Sequence, residues 1–143
     1  MNPNSLYSTD SQVIRDKKQV IGMIRVRYIV NDVDEAIEFY TTNLGFKLEQ
    51  QFGPAIAMLE RDGLTLLVSG PKASASRPMP DGAQPAPGGW NRILIDVEDL
   101  EAAVSRLKQN GVQFKNDILK GPGGKQTLCV DPSGNVIELF QPA

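Results

Sequence analysis

Apolar residues recur along this chain first with period two and then with helical spacing, and the whole succession is repeated. Met23-Ile24-Arg25-Val26-Arg27-Tyr28-Ile29-Val30 alternates as a strand does, with Ile24, Val26, Tyr28 and Val30 on one face and Arg25 and Arg27 on the other. A helix is predicted next. Asp32 can accept from the first free amides, Glu35 completes an acidic form of the capping box, and Gly45 supplies a left-handed stop. Within it, Val33, Ala36, Ile37, Tyr40 and Leu44 share an apolar stripe. Strands over 46–51, 55–60 and 64–69 follow, separated by the turn signals Gly53-Pro54 and Asp62-Gly63.

The second succession begins with a strand over 91–97 and a helix capped by Asp99, in which Leu100, Ala103, Val104 and Leu107 repeat the earlier stripe until Gly111 ends it. Strands around 113–115, 126–130 and 135–140 complete it, the last two joined by the turn Asp131-Pro132-Ser133-Gly134. Each copy reads βαβββ. The correspondence extends to residues: Val30-Asn31-Asp32-Val33-Asp34-Glu35-Ala36 aligns with Val97-Glu98-Asp99-Leu100-Glu101-Ala102-Ala103, and the same offset carries Arg25 onto Arg92. Asp62-Gly63-Leu64-Thr65-Leu66-Leu67-Val68 aligns with Ser133-Gly134-Asn135-Val136-Ile137-Glu138-Leu139, so Leu67 corresponds to Glu138. Four related positions therefore hold Arg25, Leu67, Arg92 and Glu138.

The chain divides into a polar tail over 1–19, expected to be mobile, a first module over 20–69, a connecting loop over 70–89 and a second module over 90–143. The loop contains Pro71, Pro78, Pro80, Pro85 and Pro87, which cannot donate to a central strand. It reads as a spacer across the sheet surface or as a flap over a ligand, with Arg77 and Met79 as contacts. At 143 residues the two modules are expected to fold together, since neither alone buries enough apolar surface to be stable.

Composition narrows the function. Fifteen basic and 17 acidic residues give a formal charge of −2 without a long run of either sign, so the phosphate-neutralising surface that nucleic acid requires is missing. No apolar stretch near the start points to a signal peptide or membrane span, and the single cysteine, Cys129, allows no intrachain disulfide. A cytoplasmic, reducing location is the default expectation. There is no histidine, which removes the commonest transition-metal ligand and the one side chain that titrates near neutrality without help.

Other signals carry less. Gly121-Pro122-Gly123-Gly124-Lys125 lacks the first glycine of a phosphate loop, where Leu119 stands, and has Gln126 where Ser or Thr is needed, so a flexible hairpin is expected. Asn116 and Asp117 read as turn-forming residues, with contact at a ligand rim as the alternative. Cys129, between Leu128 and Val130, reads as inert packing. Tyr28 and Tyr40 belong to apolar faces, while Phe140 shares a strand face with Glu138.

Val30-Asn31-Asp32, Phe39-Tyr40 with Leu44-Gly45-Phe46, and Asp131-Pro132-Ser133-Gly134-Asn135-Val136-Ile137-Glu138-Leu139 together resemble the vicinal oxygen chelate superfamily, which includes glyoxalase I, bleomycin-resistance proteins and extradiol dioxygenases. The resemblance implies an α+β protein of two tandem βαβββ modules, forming curved mixed sheets around a cup with helices on the outer faces, often as a homodimer. Metal-dependent members place histidine, glutamine or glutamate at four inward positions, which correspond here to Arg25, Leu67, Arg92 and Glu138. Only Glu138 is a competent ligand, because arginine stays protonated and leucine has no lone pair to offer. No metal and no cofactor are therefore expected.

Two expectations replace the metal. In one, Arg25, Glu138 and Arg92 form an ionic cluster that merely fills the cup. In the other, two arginines against one glutamate leave positive charge, augmented by Arg27 or Lys125, for an anionic ligand. The expected contacts are Arg25, Arg27, Trp90, Asn91, Arg92, Glu138 and Phe140, with no catalytic residue assigned. The expected function is metal-independent binding of a small molecule, acidic or antibiotic-like, in such a cup. The alternatives are a glyoxalase- or dioxygenase-like lyase or isomerase, and a structural dimerisation module with a filled cup.

Overall fold

Asp32 and Asp99 each begin a helix by side-chain capping. Asp32 Oδ1 accepts from the Glu35 amide at 3.0 Å and Asp99 Oδ1 from the Ala102 amide at 3.0 Å, starting α1 (Val33–Asn43) and α2 (Leu100–Gln109). Gly45 at φ 71° and Gly111 at φ 84° follow their ends, as the left-handed stops require. These features belong to a computed structural model that describes residues 22–143; the tail expected over 1–19 lies outside the described residues.

Two mixed sheets accompany the helices, giving an α+β architecture. The first contains β1 (Val26–Ile29), β2 (Lys47–Phe52), β3 (Ile56–Arg61) and β4 (Leu64–Ser69) in the order β1-β4-β3-β2, with β1 parallel to β4. The second contains β5 (Ile93–Asp96), β6 (Gln113–Phe114), β7 (Leu119–Gly121), β8 (Gly124–Val130) and β9 (Val136–Pro142), in the order β5-β9-β8-β6 with β7 also on β8. Arg27 lies beside Leu67 in one parallel pair and Leu94 beside Glu138 in the other, so the internal repeat is kept in the register. Among the described residues, no helix is long and apolar enough to cross a membrane.

The strand ends depart from the alternation. β1 begins at Val26, leaving Met23 and Ile24 strongly exposed, because apolar period marks what can pair while the neighbour decides what does. The glycine-rich segment is a paired hairpin, with Leu119 opposite Gln126 and Gly121 opposite Gly124. Gly124, at φ 145°, faces β9 so closely that a Cβ there would run into the Gln141 carbonyl oxygen.

Both sheets and both helices contribute to one core. Tyr28, Val30, Leu59, Leu66 and Val68 meet Ile95, Cys129, Ile137 and Leu139 through Phe39, Tyr40, Leu100 and Leu107 of the helices. Phe39 is buried while Ile37, assigned to the stripe, is half-buried. Buried polar side chains cross this junction as well. Tyr28 Oη donates to the Val136 carbonyl at 3.0 Å and accepts from the Ile93 amide at 2.9 Å, Tyr40 Oη donates to Asp131 Oδ2 at 2.8 Å, and Asn135 Nδ2 donates to the Ile29 carbonyl at 2.8 Å. Asp131 Oδ1 accepts from the Ser133 and Asn135 amides, both at 2.9 Å, so the buried carboxylate is satisfied by its own turn. Burial, followed by the Asp131 charge, pushes the Tyr40 hydroxyl above its ordinary range, and burial raises Tyr28 likewise; both remain protonated donors.

Replacing Tyr40 by Phe removes a bond to a buried charge and is expected to lower stability by about 1.5–3 kcal/mol. Urea denaturation measures it, and a change within about 0.5 kcal/mol would show that this hydroxyl does not hold the halves together.

Candidate functional site

Strand alternation places the candidate side chains on the sheet faces opposite the core. On the second sheet, Leu94 of β5 and Leu128 of β8 flank Glu138 of β9 in register. Arg92 stands just before β5 and grips this carboxylate: Nε donates to Glu138 Oε1 at 2.9 Å, and Nη2 lies 2.7 Å from the same oxygen. Its third nitrogen, Nη1, donates to the Trp90 carbonyl at 3.1 Å, tying the connecting loop to the ion pair. The Glu138 side chain is 8% exposed and that of Arg92 29%, so the pair is largely desolvated. Both contacts use Oε1; among the described residues Oε2 has no hydrogen-bond partner, and it is not sealed from solvent.

Arg25 does not join this pair. It is exposed and makes no ion pair among the described residues, while Arg27 turns its Nη1 to Ser69 Oγ at 2.9 Å beside buried Leu67. The physical reason is the shared core. The helix-bearing faces of both sheets meet in it, so the row carrying Arg27 and Leu67 and the row carrying Arg92 and Glu138 look away from it. The expected Arg25–Glu138–Arg92 cluster is thus reduced, within one chain, to its Arg92–Glu138 part.

Trp90 is 67% exposed and Asn91 is exposed, both just ahead of β5. Phe140 is half-buried beside Gln126, two residues beyond Glu138 on the same face. Lys115, not anticipated from the sequence, sets its Nζ 5.4 Å from the centre of the Trp90 ring. Its amide donates to the Leu128 carbonyl, and no pattern in the chain announces that register. Lys125 is occupied elsewhere: its Nζ lies 2.8 Å from Glu101 Oε1, a hydrogen bond that holds the Glu101 carboxyl below its usual range. Asn116 is structural, its Oδ1 accepting from Thr127 Oγ1 at 3.1 Å and from the Leu128 amide at 2.9 Å.

The donor set does not suit a divalent ion. Of the four related positions only Glu138 offers oxygen, and Arg92 already holds it; among the described residues no group of three or more His, Cys, Asp or Glu side chains converges. Cys129 is no substitute as a reactive group, since burial pushes its thiol up to about 12.

Residues 22–139 match the family described as the Glyoxalase/Bleomycin resistance protein/Dioxygenase superfamily. The uncharacterized protein YurT of Bacillus subtilis (strain 168) is 30% identical over 121 residues, covering 78% of this chain and 92% of its own length. Lactoylglutathione lyase of Schizosaccharomyces pombe is 26% identical over 139 residues, covering 82% of this chain but 45% of that protein. Among solved structures, TnmS3, an antibiotic binding protein from Streptomyces sp. CB03234, aligns with a TM-score of 0.59 and 26% identity over 86% of this chain and 99% of its own.

Arg92→Ala strands a desolvated carboxylate. Breaking such a pair costs about 3–5 kcal/mol, and the partial exposure of Arg92 puts the expected loss near the lower figure. Replacing both partners by leucine should cost less than the single change; a double-mutant cycle by chemical denaturation checks this, and additive losses would rule out the coupling. The raised Cys129 thiol favours the fold below the unfolded cysteine's ordinary value near 9, and that contribution fades as pH rises toward about 12. Iodoacetamide at pH 8 should accordingly label Cys129 in urea and spare it in the native protein, as read by mass spectrometry.

Proposed function

Because the chain belongs to the Glyoxalase/Bleomycin resistance protein/Dioxygenase superfamily, we propose that it binds a small acidic molecule noncovalently and without a metal, with sequestration of an antibiotic-like compound as the concrete form. One observation carries this reading: of the four positions related by the repeat, the only carboxylate, Glu138, is held by a guanidinium, and the remaining side chains are arginine and leucine. Glu138 Oε2 is left to accept from a hydroxyl or amide of the ligand. Arg25 and Arg27 supply positive charge for its acidic group, Trp90 a wall, Phe140 and Asn91 the rim. The antibiotic-binding relative TnmS3 supports the binding class.

In this reading the working unit is a homodimer. The Arg25/Arg27 row and the Arg92/Glu138 row are turned away from one chain's core, and a twofold-related copy sets one row of each protomer against the other row of its partner. An anion then completes the charge that Glu138 alone does not balance. A lyase or isomerase is the second reading, supported by the match to lactoylglutathione lyase. There Glu138 would move a proton through Oε2 while arginine steadies the anion formed.

A thermal-shift panel of citrate, benzoate and glycerol 3-phosphate tests the binding reading. A ligand at 100 times its Kd should stabilise the protein by about 2.7 kcal/mol. Arg25→Ala combined with Arg92→Ala should abolish that gain, with circular dichroism confirming that the variant folds. Equal affinity in the double variant by isothermal titration would remove the arginines from the site. Stoichiometric zinc, iron, nickel or manganese surviving dialysis would overturn the metal-free part, and a monomeric mass by light scattering would overturn the shared cup.

A further inference from the structure

A cavity of about 290 Å³ opens between the two halves, on the helix side of the sheets and away from Glu138. Ile95, Val97, Ala103, Leu107 and Leu139 are its apolar lining residues, Leu107 and Leu139 almost wholly buried, and its charged lining residues are Arg61 and Arg106. Among the described residues no carboxylate lines it, although the chain as a whole is acidic. The neighbouring cavity, of about 340 Å³, shares Arg61 and Ile95 but carries Asp62 and Asp96, so the positive character belongs to the first alone.

Neither guanidinium is consumed by its surroundings. Arg61 Nη1 donates to the Leu44 carbonyl at 2.9 Å, answering the end of α1, and Nε lies 3.3 Å from Asp62, whose side chain is 87% exposed and well screened. Among the described residues, Arg61 Nη2 has no hydrogen-bond partner and Arg106 has no ion-pair partner. Arg106 belongs to the last turn of α2, so the two cations approach the opening from opposite halves of the chain.

From this geometry we propose a second binding site, for a short-chain organic monoanion whose acidic head lies between Arg61 and Arg106 and whose apolar tail lies against Val97 and Ala103. The volume lies just below the ~300–1,000 Å³ span of small-molecule sites, which fits a short chain. A carboxylate suits a planar guanidinium fork, and a neutral or cationic head would leave Arg106 without a counter-charge. The site is independent of the one around Glu138, and because it bridges the halves, its occupant bears on how they sit together.

Hexanoate, hexanol and hexylamine are the probes, titrated into the full-length protein with amide shifts followed by nuclear magnetic resonance. Hexanoate should perturb Thr41–Gly45 and Ala103–Leu107 and bind about tenfold more weakly to Arg106→Gln, while Arg106→Lys keeps most of the affinity. Ala103→Leu, which fills the cavity without touching charge, should abolish binding. Fluorescence of the single tryptophan, Trp90, should stay unchanged, separating this site from the other. Equal binding of hexanoate and hexanol, shifts centred on Arg92 and Glu138, or no shifts at millimolar hexanoate would each overturn the proposal.

Discussion

Neither half of this chain can cover its own apolar face, and that constraint organises everything else. The strand rows Tyr28/Val30, Leu66/Val68 and Ile137/Leu139 are buried only because the two helix-bearing sides are packed into a common interior. Tyr28, Tyr40 and Asn135 fix that packing by polar contacts that apolar burial alone would not specify. Asp131 is the centre of the arrangement: a buried carboxylate tolerated because its own turn, a tyrosine and an asparagine answer both of its oxygens.

The cost of sharing a core is that the opposite faces are left to be completed from outside. Period two in a strand commits neighbouring residues to opposite sides, so burying Leu66 and Val68 sends Arg27 and Leu67 outward, and burying Ile137 and Leu139 does the same to Glu138. On the second sheet the result is a desolvated ion pair with one carboxylate oxygen still available and an aromatic ring nearby. On the first sheet it is a face carrying Arg27, with Glu60 of β3 on the same side. Because Arg92 already balances Glu138, Arg25 and Arg27 leave positive charge over, and that excess is what the proposed cup uses.

Arg92 links these levels. Its guanidinium binds Glu138 through two nitrogens and the Trp90 backbone through the third, so the ion pair also positions the end of the proline-rich connection. The same two-pronged grip that makes Glu138 a poor metal ligand holds its carboxylate in place, with both donor contacts on Oε1.

Much of this was legible in the chain. The caps at Asp32 and Asp99, the left-handed stops at Gly45 and Gly111, the alternation around Arg27 and the repeat that equates Leu67 with Glu138 are local properties, and local sterics and hydrogen bonding suffice to set them. The Arg92–Glu138 pair is one part of the three-residue cluster that the family resemblance led one to expect. The position of Arg25 relative to Glu138, the approach of Lys115 to Trp90, the burial of Phe39 and the pairing of Leu119–Gly121 with β8 did not follow. Each depends on which faces and edges meet across dozens of residues, and a sequence period gives a side chain its face without naming the surface opposite. Residue order thus determined the elements and their chemistry, whereas packing of the two halves decided which charges are neighbours.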